Sequence, residues 1–95
     1  MSDIVDKAVE KLNARLDGGF DGSAKFEIDG EGSIIVDAEG ARAGDEETDV
    51  TLSADTETFV EILDGSLNPT SAFMSGRLRV EGDMGQAMKL GAALG

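Results

Sequence analysis

Serine, threonine, lysine and twenty acidic side chains are the groups in this chain that could carry covalent or metal chemistry, because cysteine and histidine are both absent. A serine nucleophile needs a base beside it. Ser75 lies between Met74 and Gly76 with no base near it in sequence. Paired carboxylates can exchange protons, but acids scattered along solvent faces form chance pairs freely. Asp29, Glu31, Asp37 and Glu39 invite a calcium reading, yet the EF-hand loop requires glycine at its sixth place, where Ile34 stands. Without cysteine there is no disulfide, thiol nucleophile, iron-sulfur centre or thiolate zinc site, and without histidine zinc loses its commonest ligand. Gly30-Glu31-Gly32 starts like a dinucleotide fingerprint, but it joins two strand patterns and no helix follows. These patterns predict no enzyme, no metal and no cofactor.

The elements that must position any site follow from periodicity. Ser2 is a suitable cap for a helix in which Ile4, Val5, Ala8, Val9, Leu12 and Leu16 recur at helical spacing, with Gly18-Gly19 as its stop. From Ser23 the period becomes two, with Ala24, Phe26 and Ile28 on one face. Asp29 to Gly32 makes the turn, and Ile34-Ile35-Val36, apolar on both faces, predicts a strand inside the sheet. Residues 39–47 fit either a poor edge strand, through Ala41 and Ala43, or a loop. Val50, Leu52 and Ala54 restore the alternation. Asp55 caps a helix with an apolar stripe of Phe59, Val60, Ile62 and Leu63, closed by Gly65. Asn68-Pro69 opens a shorter helix ended by Gly76. Leu78 and Val80 mark a last strand, and Asp83 caps a final helix carrying Met84, Ala87, Met88 and Gly91 on one stripe.

A chain of 95 residues is short enough that all these elements share one core, so residues 1–95 read as a single domain. The expected class is α+β, a mostly antiparallel sheet with helices packed on one face. A net charge of -12 makes nucleic acid a poor partner and repels anionic bilayers. Solubility is the plain reading of that charge, and an acidic docking face is the specific one. The N-terminal stretch lacks the basic start and unbroken apolar run of a secretory signal, and no segment reaches membrane-spanning length, which predicts a cytoplasmic protein without stable membrane insertion.

Phe73, Met74, Met84 and Met88 gather in the last third of a chain that has no tryptophan or tyrosine. Methionine adapts to variable shapes, although helical periodicity alone reads these side chains as ordinary core. The run containing them, from Gly65 through Leu67, Pro69, Ala72-Phe73-Met74, Gly76-Arg77-Leu78 and Val80 to Gly82-Asp83, resembles the central signature of the sterol carrier protein-2 family. The Phe26 to Val36 hairpin and Val50-x-Leu52 extend the resemblance over nearly the whole chain.

That resemblance implies a five-stranded sheet covered by helices and enclosing an apolar tunnel for sterols, fatty acids or acyl chains. It places Phe73 and Met74 on a short helix flanking the tunnel, with the helix from Met84 to Leu94 as its wall or lid. The expected partner is a small apolar ligand bound without chemistry, through residues drawn from Ile35, Val50, Leu52, Phe59, Leu63, Phe73, Met74, Leu78, Met84 and Met88. Which of these face the ligand and which fill solid core stays open. Alternation directs Arg77 and Arg79 away from that interior. The chain ends in Ala93-Leu94-Gly95 and not in the Ser-Lys-Leu address of peroxisomal members, consistent with the cytoplasmic expectation. Two rival readings are an acidic interaction module without a bound lipid and a lipid-cleaving enzyme using Ser75.

Overall fold

The computed structural model describes residues 3–16 and 19–94. Nine elements follow in order: α1 (Asp3–Leu16), β1 (Ala24–Ile28), β2 (Gly32–Asp37), β3 (Gly40–Ala43), β4 (Val50–Ala54), α2 (Thr56–Asp64), α3 (Pro69–Met74), β5 (Arg79–Gly82) and α4 (Met84–Leu94). The expected Ser2 cap, and Gly18 of the expected helix stop, lie outside the described residues.

The strands form one sheet in the order β3-β2-β1-β4-β5. β1 and β4 run parallel, while the other neighbouring pairs are antiparallel, which gives the mostly antiparallel α+β architecture. The parallel pair is possible because β4 returns beside β1 after the chain has passed through β2 and β3, a crossover that a tight hairpin cannot make. Register aligns Ile34, Phe26, Leu52 and Val80 in one row across the sheet, and Val36, Ala24, Val50 and Gly82 in the next. These rows point toward the helices. On the opposite face stand Lys25 and Glu27 of β1 with Ile35 of β2.

The ambiguous 39–47 segment resolves into a short edge strand followed by a loop. Pairing to β2 is not its only support. Asn13 of α1 donates Nδ2 to the Ala41 carbonyl at 3.0 Å and accepts the Ala41 N–H on Oδ1 at 2.8 Å. The carboxamide thus imitates a neighbouring strand and uses up hydrogen-bonding groups of an exposed edge. Gly40, at φ +113°, makes the approach feasible, since a Cβ there would stand 2.6 Å from Asn13 Oδ1.

α1 buries Val5, Ala8, Leu12 and Leu16, the stripe expected from its spacing. Arg15 on the same helix donates to the carbonyls of Leu63, at 2.9 Å, and Leu94, at 2.8 Å. One guanidinium therefore satisfies carbonyls at the C-terminal ends of both α2 and α4, where positive charge also meets the helix dipoles.

Asp55 caps α2 by accepting the Thr58 N–H at 2.7 Å, and Gly65 closes the helix in the left-handed region at φ +83°. Asn68 caps α3, with Pro69 inside its first turn. The last strand starts at Arg79, one residue past Leu78, which is buried ahead of it.

Candidate functional site

Across the end of the sheet formed by β1, β4 and β5, the helices do not close onto the strands completely. They leave a cavity of about 250 Å³. Its floor is Phe26, Leu52 and Val80, the successive members of one cross-strand row. Ile62 of α2 and Leu78 form one side. The roof is Pro69, Thr70, Phe73 and Met74 of α3 with Met84, Ala87, Met88, Leu90, Gly91 and Leu94 of α4. Thr70 alone among these lining residues has a polar side chain.

Local sequence explains why the roof stands away from the floor. α3 is short and starts at a fixed Asn68-Pro69 cap, while Gly76 at φ +83° turns the chain down into Leu78. The N–H groups of Arg77 and Leu78 both reach the Ala72 carbonyl, at 2.9 and 3.1 Å, which ties that turn beneath α3. Gly91 of α4 faces α3 closely, and a Cβ there would stand 3.8 Å from Pro69 Cβ. α4 is anchored at its start by Asp83, which accepts from the N–H groups of Gly85 and Gln86, and at its end by Arg15. Between these anchors Lys89 donates to the carbonyl and carboxylate oxygens of Asp21.

The buried stripe of α4 is Ala87, Leu90 and Leu94. Met84 and Met88 project from the adjoining face and remain 44% and 73% exposed, as do Phe73 at 42% and Met74 at 80%. Reading these four side chains as ordinary core from helical periodicity is therefore corrected. They are large apolar groups that meet both the cavity and solvent, and they form its mouth.

Of the residues singled out in the sequence, Leu52, Phe73, Met74, Leu78, Met84 and Met88 come together around this cavity. Ile35, Val50, Phe59 and Leu63 do not. Ile35 is buried, but it pairs with Lys25 and Arg42 on the opposite face of the sheet. Val50 belongs to the neighbouring row, between Ala24 and Gly82. Phe59 and Leu63 face α1 and line a separate cleft with Ile4, Ala8, Lys7 and Lys11. Phe59 packs against Phe26 of the cavity floor, the two ring centroids 5.1 Å apart. Inward alternation and helical stripes mark burial, but they do not tell which buried side chain borders empty space. The register that puts Phe26 and Val80 beside Leu52 would have found the missing floor.

The charged groups lie outside this interior. Arg77 donates to Glu61 at 2.8 Å and to the Thr58 hydroxyl at 3.2 Å, and Arg79 pairs with Asp29 at 3.7 Å. The backbone N–H of Thr58, then its hydroxyl, holds the Asp55 carboxyl below its ordinary range, while Glu61 foremost raises that of Arg77. Ser75 donates its hydroxyl to the Ala72 carbonyl at 3.1 Å. Among the described residues, no group of three or more carboxylates is placed to hold a metal ion, and no helix is long and apolar enough to cross a membrane.

Comparison with known proteins bears on this arrangement. The model of the SCP-2 sterol transfer family matches residues 4–95. Hydroxysteroid dehydrogenase-like protein 2 of Xenopus tropicalis is 36% identical over 98 aligned residues, covering 94% of this chain and 24% of that protein. Peroxisomal multifunctional enzyme A of Dictyostelium discoideum is 45% identical over 65 residues, covering 68% of this chain and 14% of that protein. The chain thus spans about a quarter or less of these relatives' length. The solution structure of sterol carrier protein-2 from Aedes aegypti in complex with palmitate superposes with a TM-score of 0.78 at 20% identity, covering 99% of this chain and 96% of that one. The peroxisomal relative overturns the cytoplasmic placement expected from the sequence. Organelle addresses are short receptor-read signals, so the interior of a domain does not record its compartment.

Proposed function

Because the chain belongs to the SCP-2 sterol transfer family, we propose that it takes up a single acyl chain or flat sterol-like molecule into the cavity beneath α3 and α4 and holds it by burial alone. The observation that carries this reading is the lining, apolar except for Thr70, in a protein that otherwise covers itself with charge. A cavity in so small a domain forgoes contacts, and an apolar guest restores them. Burial contributes about 25 cal/mol per Å² of ligand surface, which makes micromolar affinity accessible without a charged anchor.

We read the domain as a non-catalytic lipid-binding module of that family. Ser75 fits this assignment, since its hydroxyl is committed to the Ala72 backbone carbonyl. A closed interior with an exposed apolar patch would favour an interaction module without lipid; the exposed apolar side chains are present, but the cavity weighs against that reading. The palmitate carried by the Aedes aegypti protein supports the choice of an acyl chain as one ligand class.

Amide NMR during titration with 1-dodecanol tests where the ligand goes. Shifts are expected at Leu52, Thr70, Phe73, Val80 and Met88. Shifts confined to Ala8, Lys11 and Leu63 would assign uptake to the cleft between α1 and α2 and remove the proposed site.

A further inference from the structure

We infer that the cavity selects an uncharged amphiphile, an acyl chain ending in a hydroxyl, ester or similar neutral group, over the ionised fatty acid of the same length. This rests on the lipid-binding reading and narrows it. An anion leaving water needs cations or N–H donors directed at it. No cationic side chain lines the cavity, and most N–H groups that open its roof helices already have acceptors.

None of the eight Lys and Arg side chains lines it. The basic residues on the elements around it are engaged elsewhere: Arg77 with Glu61 and Thr58, Arg79 with Asp29, and Lys89 with Asp21. Of the backbone donors that open the two roof helices, those of Thr70, Ser71, Gly85 and Gln86 are also taken. Asn68 Oδ1 accepts from Thr70 at 2.8 Å and from Ser71 at 3.4 Å at the start of α3. At the start of α4, the acceptor for Gly85 and Gln86 is the Asp83 carboxylate, at 2.8 and 3.2 Å. A negative group therefore already occupies the helix end next to Met84, where an incoming carboxylate would otherwise gain most.

What remains for a ligand head group is the Thr70 hydroxyl and water at the mouth. One hydroxyl matches an alcohol or carbonyl oxygen and leaves a carboxylate's remaining lone pairs without donors. The net charge of -12 acts in the same direction, since every approaching anion meets a field of its own sign.

The test is displacement of the uncharged dye N-phenyl-1-naphthylamine by 1-dodecanol and by dodecanoate, at about pH 8 where the acid is ionised. Dodecanol is expected to displace the dye at roughly 10-fold lower concentration, or better. In Ser71→Lys, which puts an ammonium on the exposed side of α3 one turn from Met74, that ratio is expected to narrow several-fold. Equal displacement by the two ligands in the wild-type protein, or preference for dodecanoate, would overturn the selectivity and leave lipid binding standing. No dye uptake and no binding of either ligand would remove both.

Discussion

Phe73 shows how much a single side chain can decide. It lines the cavity yet keeps 42% of its surface in solvent, so a polar replacement there has water to turn to. Phe73→Asp is expected to keep the fold and to weaken uptake of a neutral acyl chain at least ~10-fold by placing charge at an apolar mouth. Circular dichroism together with the dye titration separates the two effects, and a folded variant with unchanged affinity would remove Phe73 from the site. Asp55 is legible in a different way. Its role as a cap follows from sequence, and the pKa shift adds a pH dependence. Because its folded-state pKa is lowered, first by the Thr58 N–H, its contribution is present above the unfolded pKa of about 3.9 and is lost as pH falls through the folded value. Asp55→Asn also caps but does not titrate, so its melting temperature is expected to fall less steeply with acid below about pH 4. Parallel wild-type and variant acid limbs would refute this. Alternation placed Arg77 and Arg79 outside the interior, and they are there; the exposure of Met74 and Met88 was not legible, because periodicity gives a helix face and not what stands opposite it.

Elements were read more completely than contacts, because each carries its own local signals. Capped α2 and α3 and the alternating β1 and β4 appear close to where their patterns placed them. β3 was ambiguous because two alanines carry little strand preference, and its support comes from a side chain distant in sequence. Asn13 donates and accepts across the Ala41 peptide, a pairing no local pattern announces. Asn13→Ala is expected to lower stability by about 1 to 3 kcal/mol and to speed hydrogen exchange at Ala41. Exchange unchanged at that amide would show that pairing to β2 suffices to hold the edge. Gly82 makes a comparable point on the other edge. At φ +108°, a Cβ there would lie 2.5 Å from the Asp49 carbonyl oxygen, so Gly82→Ala forces β5 off β4 at the entry to α4. A clear drop in melting temperature is expected, and an unchanged one would mean that β5 is free to shift.

The whole molecule combines two surfaces of opposite character. Twenty acidic residues give the chain its net charge, yet residues 65–80 and 84–95, which supply α3, α4 and the turn between α3 and β5, contain no Asp or Glu. The acid-free segments are the ones that roof the cavity. The architecture was legible because strand and helix patterns agree throughout the chain, and the family signature between Gly65 and Asp83 joined them to an apolar interior. The boundary between cavity and solid core was not legible, since it depends on how far α3 and α4 stand above the row of Phe26, Leu52 and Val80. That gap is the central feature, and whether it holds a lipid can be read directly. Native mass spectrometry of the protein as purified, followed by organic extraction, is expected to show a discrete added mass that is released as one class of lipid. An apo mass that stays unshifted after incubation with neutral acyl chains, fatty acids and sterols would contradict lipid binding and mean that the gap closes in solution.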